Sequence, residues 1–478
     1  MYKDNREYIK ALQDAGELVV IDQEVDWDLE AGAIVRKVCE DNAPSPLMNK
    51  IKDYPGHRYF GAPLSNYRKL AVSLGIDPDT SIPDIANVYL ERTSKDPVKP
   101  VTVDKKQAPC KENIITGDDV DLLSLPAPMV HDGDGGRYLA TWHFVVTKDP
   151  DNGEVNWGMY RQMVYNSRVM SGPLFPFSGG GKVFHGKYVP RGEAMPFATV
   201  IGPDPLGAIA GSAPTALPEP EFTGQLLQKP VELVKCETVD LEVPAHAEII
   251  IEGYILPDVQ LEEGPFGEYT GYRTSPRDNR TVYYVTAITH RNDPITTISN
   301  MGVPTDEGQL LRSFTLGLEM DRLLRNQGIP ITGVFMLPES THHLVVVGVK
   351  PLYTNVAAQV AQTVFGSSLG MWFHMVVVVD DKTDIYNFNE VLHALSTRCH
   401  PQKDIHVFEG VGTPLYPFLS AEERKKSVGP KVLFDCTFPL DWDPFTEVPR
   451  LVSFKTVYPQ EIQEKVLNNW ENYGFSSK

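Results

Sequence analysis

The sequence has little cysteine and no long apolar stretch. Its five cysteines are scattered over 478 residues with no Cys-x-x-Cys spacing, which argues against a disulfide framework and suits a reducing compartment. No run of about 18 apolar residues is present, so we predict no membrane span. The first residues, Met1–Arg6, contain no apolar signal core, and we therefore expect a cytoplasmic protein.

Positive charge is also scarce. The 44 lysines and arginines are outnumbered by 63 aspartates and glutamates, and the net charge is −19. Such a chain repels nucleic-acid phosphates and anionic lipid surfaces, so we predict neither a nucleic-acid nor a membrane partner. An anionic small substrate would need a local positive group, and Arg161 is the first candidate.

The rest of the composition is that of a folded, multidomain protein. Apolar residues make up 42% of the chain and charged residues 22%, which excludes wholesale disorder. We predict an N-terminal α/β region at 1–110. There, Tyr8, Ile9 and Leu12 follow helical spacing, Leu18–Ile21 is a predicted strand, and Asp28 is the expected N-cap of the next helix.

The remaining chain divides into three predicted parts. Residues 111–303 are dominated by strands and turns, which predicts a β-barrel or a strongly curved sheet. Residues 304–328 hold a linker helix. Residues 329–478 alternate strands with helical segments, which indicates a C-terminal α/β domain. The predicted fold is therefore an α+β multidomain protein.

The segment Glu263–Glu268, with the sequence EGPFGE, holds two carboxylates around a turn. Carboxylates close together with an apolar ring between them tend to have their pKa values pushed apart, which provides one acid and one charged partner near neutral pH. The alternative is a surface hairpin with two solvated glutamates.

Arg161 lies in the predicted strand Val155–Tyr165, whose alternation places Trp157 and Met159 on the same face. An arginine among apolar neighbours needs a partner. It is either a structural ion pair or a two-pronged clamp for a substrate carboxylate. Asn156, roughly 16 Å away along such a strand, would then contact the other end of a long ligand.

Two other polar sets lie nearby in the sequence. Asn156, His185 and Glu237 combine oxygen ligands with one imidazole, which suits Mn²⁺ or Mg²⁺, although each alone is an ordinary hydrogen-bonding group. The glycine-rich segment Ser178–Lys182 is not a phosphate-binding Walker loop, and we expect it to pack flexibly against a ligand. Residues 131–137 lack the ligands of a calcium loop and predict a turn before a strand.

Several segments together resemble the UbiD family of non-oxidative decarboxylases, nearest to its ferulic acid decarboxylase branch. The similar segments keep their order along the chain: Asn156–Arg161, His185, Lys235–Glu237, Glu263–Tyr272, Asn300–Glu307, Asp380–Phe388 and Asn469–Gly474. The resemblance implies a split β-barrel of the flavin-reductase type at 111–303. It also implies a C-terminal domain that forms a homodimer or homohexamer.

The resemblance also implies the chemistry. Loss of CO₂ leaves a carbanion-like centre that needs an electron sink, and the family uses prenylated FMN, supplied by a separate flavin prenyltransferase. We therefore expect reversible decarboxylation of an aromatic, heteroaromatic or α,β-unsaturated acid. The open alternatives are an FMN-dependent oxidoreductase on a split barrel, which would not require the glutamate pair, and a non-catalytic subunit of a decarboxylase complex.

By resemblance, Glu268 is the proton donor and Glu263 orients Arg161 and keeps it from swinging toward Glu268. The implied metal ligands for Mn²⁺ or Mg²⁺ are Asn156, His185 and Glu237, with a K⁺ site touching Trp157 and Glu237. The expected cofactor-binding residues are Asn156, Trp157, Met159, Arg161, Gln162, His185 and Glu237.

The sequence departs from the family pattern at two places. Ser368 stands where relatives carry a lysine that contacts the cofactor phosphate. Thr413 replaces a pocket phenylalanine, and Gly179–Gly181 replace bulkier residues. We therefore expect a wider substrate pocket than in enzymes that act on cinnamate-like acids.

Overall fold

The computed structural model of the protein describes residues 1–476. Its N-terminal part joins four helices to short strands: α1 Asn5–Asp14, α2 Glu30–Glu40, α3 Tyr67–Ser73, α4 Ile82–Thr93, β1 Leu18–Val25, β2 Ser45–Ile51, β3 Arg58–Gly61 and β4 Val101–Thr102. The sheet order β1-β2-β3 is completed by a later strand, Ile295–Ile298, which pairs in parallel with β3. The N-terminal sheet is therefore tied to residues far along the chain.

The predicted helix and strand at the N-terminus are confirmed. Tyr8, Ile9 and Leu12 are all buried on one face of α1, as helical spacing requires. The predicted cap at Asp28 is wrong, because α2 has Leu29 at its N-cap and no side-chain cap. Asp28 instead forms an isolated bridge with Met129, which keeps the backbone extended there.

The central part is built on an antiparallel sheet. Its strands are β5 Asn113–Thr116, β6 Tyr138–Ala140, β7 His143–Lys148, β8 Val155–Gly158, β9 Gln162–Asn166, β10 Val169–Gly172, β11 Met195–Ile201, β14 Ile249–Glu263 and β15 Asp278–His290. The order is β6-β9-β10-β15-β14-β11-β7-β8, with β5 on β15. Outside this sheet lie β12 Glu232–Lys235, β13 Glu242–Pro244, β16 Ile295–Ile298, and helices α5 Gly179–Val183, α6 Val189–Arg191, α7 Pro205–Ala210 and α8 Glu219–Leu227.

The predicted single strand Val155–Tyr165 is wrong, because it breaks into β8 and β9. In the sheet order, β8 is the last strand at one end and β9 lies next to the end strand β6 at the other, although only residues 159–161 separate β8 from β9. Since three residues span roughly 10 Å at most, the two ends of the sheet must approach each other. The sheet is curled into a half-barrel, and Arg161 lies where its ends meet.

The C-terminal part begins with the helix α9 Glu307–Asn326, which confirms the predicted linker helix and carries an Asp306–Gln309 capping box. The strands are β17 Ile331–Met336, β18 Leu344–Val349, β19 Met375–Asp380, β20 Ile405–Val411 and β21 Val428–Asp435. The helices are α10 Val356–Gly366, α11 Phe388–Arg398, α12 Ala421–Lys426, α13 Phe454–Val457 and α14 Gln460–Asn468. The sheet order is β17-β18-β19-β21-β20, and the predicted strand–helix alternation is confirmed.

Within residues 1–476, no helix combines the length and the apolarity needed to cross a bilayer.

Candidate active site

The loop after β14 carries both glutamates of the EGPFGE segment. We call residues 263–272 the acid loop. Glu263 is 1% exposed and Glu268 is 5% exposed, so the alternative of a surface hairpin with solvated glutamates is wrong. Phe266, between them, packs in a small core with Tyr138, Met163 and Val130.

Arg161 lies between the two carboxylates. Its Nε and Nη2 donate to the two oxygens of Glu263 at 2.8 and 3.0 Å, and its Nη1 contacts Glu268. The guanidinium carbon lies 5.2 Å from the centre of the Phe266 ring. Burial opposes the charge of the guanidinium, but Glu268 and Glu263 outweigh it and raise the pKa of Arg161. The arginine is therefore held as a cation with two carboxylate partners.

Tyr138 completes the environment of Glu263. Its hydroxyl donates a hydrogen bond of 2.6 Å to Oε1 of Glu263. Burial, and then the nearby Glu263 carboxylate, raise the pKa of Tyr138, so the phenol keeps its proton. Glu263 is thus fixed by a phenol and a bidentate arginine, as expected of an orienting group.

The structure brings Arg161, Glu263 and Glu268 together, as the sequence predicts. One detail is wrong: Glu263 does not keep the guanidinium away from Glu268. Nε and Nη2 occupy Glu263, and this orientation leaves Nη1 directed at Glu268.

Three of the residues predicted to bind the cofactor have buried polar atoms without a hydrogen-bond partner among the described residues. Gln162 is fully buried, and its Oε1 accepts from Thr199 at 2.8 Å. Buried atoms without a hydrogen-bond partner in the described residues include Asn156 Nδ2, Trp157 Nε1 and Gln162 Nε2. Met159 packs at the edge of the adjoining core. Because buried polar atoms are nearly always paired, these three donors indicate a polar group that binds here.

The predicted metal ligands are not joined to one another. His185 Nε2 lies 2.7 Å from the Leu174 carbonyl. Glu237 pairs with Lys105 at 2.8 Å and with Lys111 at 3.4 Å, and these lysines outweigh burial and lower its pKa. Residues 1–476 contain no group of three or more His, Cys, Asp or Glu side chains placed to hold a metal. The predicted metal set of Asn156, His185 and Glu237 therefore stays a prediction.

A different carboxylate, missed in the sequence, lies at this strand end. Glu219, the first residue of α8, accepts the backbone N–H of Trp157 at 2.9 Å. Burial raises the pKa of Glu219 to about 7. The sequence PEPE around it marks a helix start, but nothing local connects that start with Asn156, 63 residues earlier.

The glycine-rich segment is helical rather than a loose loop. Gly179–Val183 form α5, which Ser178 caps. A Cβ at Gly179 would lie 1.8 Å from Asn156 Oδ1, and one at Gly181 would lie 1.9 Å from the Phe175 carbonyl. The glycines at 179 and 181 permit close packing of α5 against Asn156 and against the Phe175 backbone, and the wider substrate pocket stays a prediction.

The C-terminal domain reaches the acid loop through Tyr269. The Tyr269 hydroxyl donates to Thr413 at 3.4 Å, and its ring stacks on His342 with centroids 4.7 Å apart. The Tyr269 carbonyl accepts from Gln309 of α9 at 2.6 Å. Thr413 is therefore adjacent to the site, whereas Ser368 is exposed.

Lys431 lies near the turn that follows Ser368. Its Nζ donates to the carbonyls of Gly370 and Phe373, at 2.6 Å each. Burial lowers the pKa of Lys431 to about 8. This lysine is engaged by the backbone and does not replace the phosphate-contacting lysine of the relatives.

Comparisons with known proteins cover nearly the whole chain. Three models of the 3-octaprenyl-4-hydroxybenzoate carboxy-lyase family match: the N-terminal domain at residues 9–89, the Rift-related domain at 101–304 and the C-terminal domain at 309–436. The pyrrole-2-carboxylic acid decarboxylase of Pseudomonas aeruginosa is 31% identical, covering 99% of this chain and 98% of the relative. Ferulic acid decarboxylase 1 of Saccharomyces cerevisiae is 32% identical, covering 98% of each.

A solved structure agrees with these matches. The UbiD-class enzyme HmfF from Pelotomaculum thermopropionicum, in complex with FMN, has a TM-score of 0.83 and 30% identity. The match covers 94% of this chain and 97% of that chain.

Proposed function

The chain belongs to the UbiD family of carboxy-lyases, and on that premise we propose that it decarboxylates an aromatic, heteroaromatic or α,β-unsaturated acid reversibly with prenylated FMN. The observation that carries the proposal is the buried arrangement of Arg161 between Glu263 and Glu268. This arrangement places a carboxylate-binding cation beside an acid, and decarboxylation needs both.

Arg161 binds the substrate carboxylate in this proposal. Its Nη1 faces Glu268 in the structure, and a substrate carboxylate that takes this place releases Glu268 from the ion pair, after which the freed Glu268 carboxylate takes up a proton from solvent. Glu263 and Tyr138 keep the other edge of the guanidinium fixed. Binding of the acid therefore prepares the proton donor.

Glu268 then supplies the proton. The bond between the substrate carbon and its carboxylate group breaks and CO₂ leaves. The proton of the Glu268 carboxyl is transferred to the substrate carbon that carried the carboxylate. Prenylated FMN, when bound, supplies the sink for the electron pair.

The residues near β8 fit a flavin. Asn156, Trp157, Met159, Arg161 and Gln162 lie on or beside the two ends of the half-barrel, and three of them have unpartnered donors there. We take the half-barrel to be the split β-barrel of flavin reductases. The HmfF relative was solved with FMN, which supports the same use here.

A divalent cation, Mn²⁺ or Mg²⁺, fits only with a changed ligand set. Lys105 and Lys111 already pair with the Glu237 carboxylate. This pairing disfavours Glu237 as a ligand of a divalent metal and as part of the expected K⁺ site. Glu219 is a carboxylate at the correct strand end, and a bound cation would favour its ionised form, which burial disfavours. We therefore propose Glu219, with Asn156, as the protein's oxygen ligands.

The two alternative functions fit less well. An FMN-dependent oxidoreductase does not need two buried glutamates paired with one arginine. A non-catalytic subunit does not need the complete set of Arg161, Glu263 and Glu268. Partners then follow from the proposal: a small carboxylic acid, CO₂ and a flavin prenyltransferase. We also propose a homodimer or homohexamer formed through the C-terminal domain.

The test begins with the protein purified from a host that contains a flavin prenyltransferase. We expect a flavin absorbance, the intact mass of prenylated FMN, and CO₂ release from a panel of aromatic and α,β-unsaturated acids. Bound unmodified FMN with hydride transfer would favour the oxidoreductase. Protein that binds no flavin would favour the non-catalytic subunit.

A further inference from the structure

A second loop contacts the acid loop and holds it in place. Residues 131–137, which we call the His131 loop, form the turn expected before β6 and also contact the acid loop directly. Asp134 Oδ1 accepts the backbone N–H of Gly267 at 3.1 Å, and the Pro265 carbonyl accepts the N–H of Gly135 at 2.7 Å. Both bonds flank Phe266, and the first lies one residue from Glu268.

The two loops are fitted so closely that side chains are excluded between them. A Cβ at Gly135 would lie 2.0 Å from the Gly264 carbonyl, and one at Gly267 would lie 2.5 Å from the His131 ring. The His131 and Phe266 rings also meet edge to face, with centroids 5.7 Å apart. The position of Gly267, and hence of Glu268, is therefore set by the His131 loop.

Both ring nitrogens of His131 face acceptors. Nδ1 lies 2.8 Å from Asp134 Oδ2, and Nε2 lies 2.5 Å from Asn300 Oδ1 and 2.9 Å from the Met301 carbonyl. The amide of Asn300 is oriented by its Nδ2, which donates to the Gly32 carbonyl at 2.8 Å. With an acceptor opposite each ring nitrogen and no donor opposite the ring, both ring nitrogens are placed to donate hydrogen bonds.

The charges around this ring are mixed. Asp134 is paired with Arg273 at 3.5 Å as well as with His131. Arg36 of α2 donates to the Asn300 carbonyl at 2.8 Å. Asp306, the N-cap of α9, accepts the backbone N–H of Gly302 at 3.2 Å. The buried carboxylate of Asp134, with an exposed fraction of 0% for its side chain, is the acceptor that contacts the ring directly.

We propose that His131 and Asp134 form a clamp that positions Glu268 for proton transfer. The proposal rests on the proposed function for its consequence in catalysis, but the clamp itself is a property of the protein alone. His131 and Asp134 act through Gly267 and do not touch the substrate, so they are positioning residues. When either side chain is replaced, the hydrogen bonds that join the two loops are lost and the acid loop loosens.

The first test is amide hydrogen exchange on the protein without cofactor. In His131→Gln and Asp134→Asn, we expect exchange in residues 263–272 to be at least about tenfold faster than in the wild type, with the half-barrel strands unchanged.

The second test is kinetic and uses the holoenzyme. A misplaced acid lowers kcat, so we expect a loss of roughly 10- to 100-fold in kcat, with KM and flavin content within about threefold of wild type. The double variant should be no worse than either single variant, because both remove the same clamp. The matched control is His246, whose Nε2 lies 2.6 Å from Glu232 Oε2 away from the acid loop. His246→Gln should change neither exchange at 263–272 nor kcat.

Two results would overturn the clamp. One is unchanged protection of residues 263–272 in both variants; where one variant fails to fold, the other decides. The other is a holoenzyme variant with wild-type kcat. If the wild type releases no CO₂ from any acid but the exchange results hold, the clamp stands and the proposed function falls.

Discussion

Replacement of Arg161 by lysine tests the carboxylate clamp while keeping the charge. The guanidinium makes two hydrogen bonds to Glu263, at 2.8 and 3.0 Å, and directs a third nitrogen to Glu268. A single ammonium cannot hold the Glu263 fork and present a two-pronged face to the substrate at the same time. The loss of one charge-assisted hydrogen bond is worth about 1.5–3 kcal/mol, which corresponds to a fall in kcat/KM of roughly 10- to 150-fold.

The assay is steady-state CO₂ release from an accepted acid, with flavin content measured in the same samples. The matched control is Arg277→Lys, since Arg277 also pairs with a glutamate, Glu262 at 3.1 Å, but the pair is exposed. Exposed pairs contribute little, so the control should stay within about threefold of wild type. If Arg161→Lys also keeps kcat and KM within about threefold, a difference of only roughly 0.7 kcal/mol, the clamp is refuted and Arg161 is a structural ion pair.

Three further predictions address the other residues. Glu268→Gln should lower kcat by about 10²–10⁴-fold while flavin content is retained; near-normal turnover would remove Glu268 as the proton donor. Glu219→Ala should lose bound Mn²⁺ or Mg²⁺ and Glu237→Ala should keep it, as measured by metal analysis of protein purified with cofactor; the reverse pattern would restore Glu237 as the ligand. Glu219 has a pKa raised by burial to about 7 from 4.5, so in metal-free protein its stabilising effect is present below pH 4.5 and is lost as the pH rises through about 7. The Tm of the wild type relative to Glu219→Gln should therefore fall over that range, and a constant difference would contradict the raised pKa.

Local patterns predict much of this fold because several elements are determined by neighbouring residues. The strand Leu344–Val349, with the sequence LVVVGV, contains only apolar residues and one glycine, and α9 has its apolar spacing and a glycine after its end. The grouping of Arg161 with Glu263 and Glu268 depends on contacts about 100 residues apart, and only the family resemblance connected these residues in the sequence.

The failures have a common physical origin in tertiary contacts. The segment from Val155 to Tyr165 alternates like one strand, but its halves pair with different neighbours because the sheet curls and brings β8 and β9 close together. Asp28 has the chemistry of a helix cap, but a bridge to Met129 holds it outside the helix. Glu219 is brought to Trp157 by the packing of α8, and no local pattern marks that contact.

Tyr269 connects Glu268, the proposed proton donor, to the C-terminal domain. It is the next residue after Glu268, yet its ring and hydroxyl are inserted among His342 and Thr413 of the C-terminal domain. Because Glu268 and Tyr269 are consecutive residues, a movement of the C-terminal domain relative to the half-barrel would also move the Glu268 carboxyl.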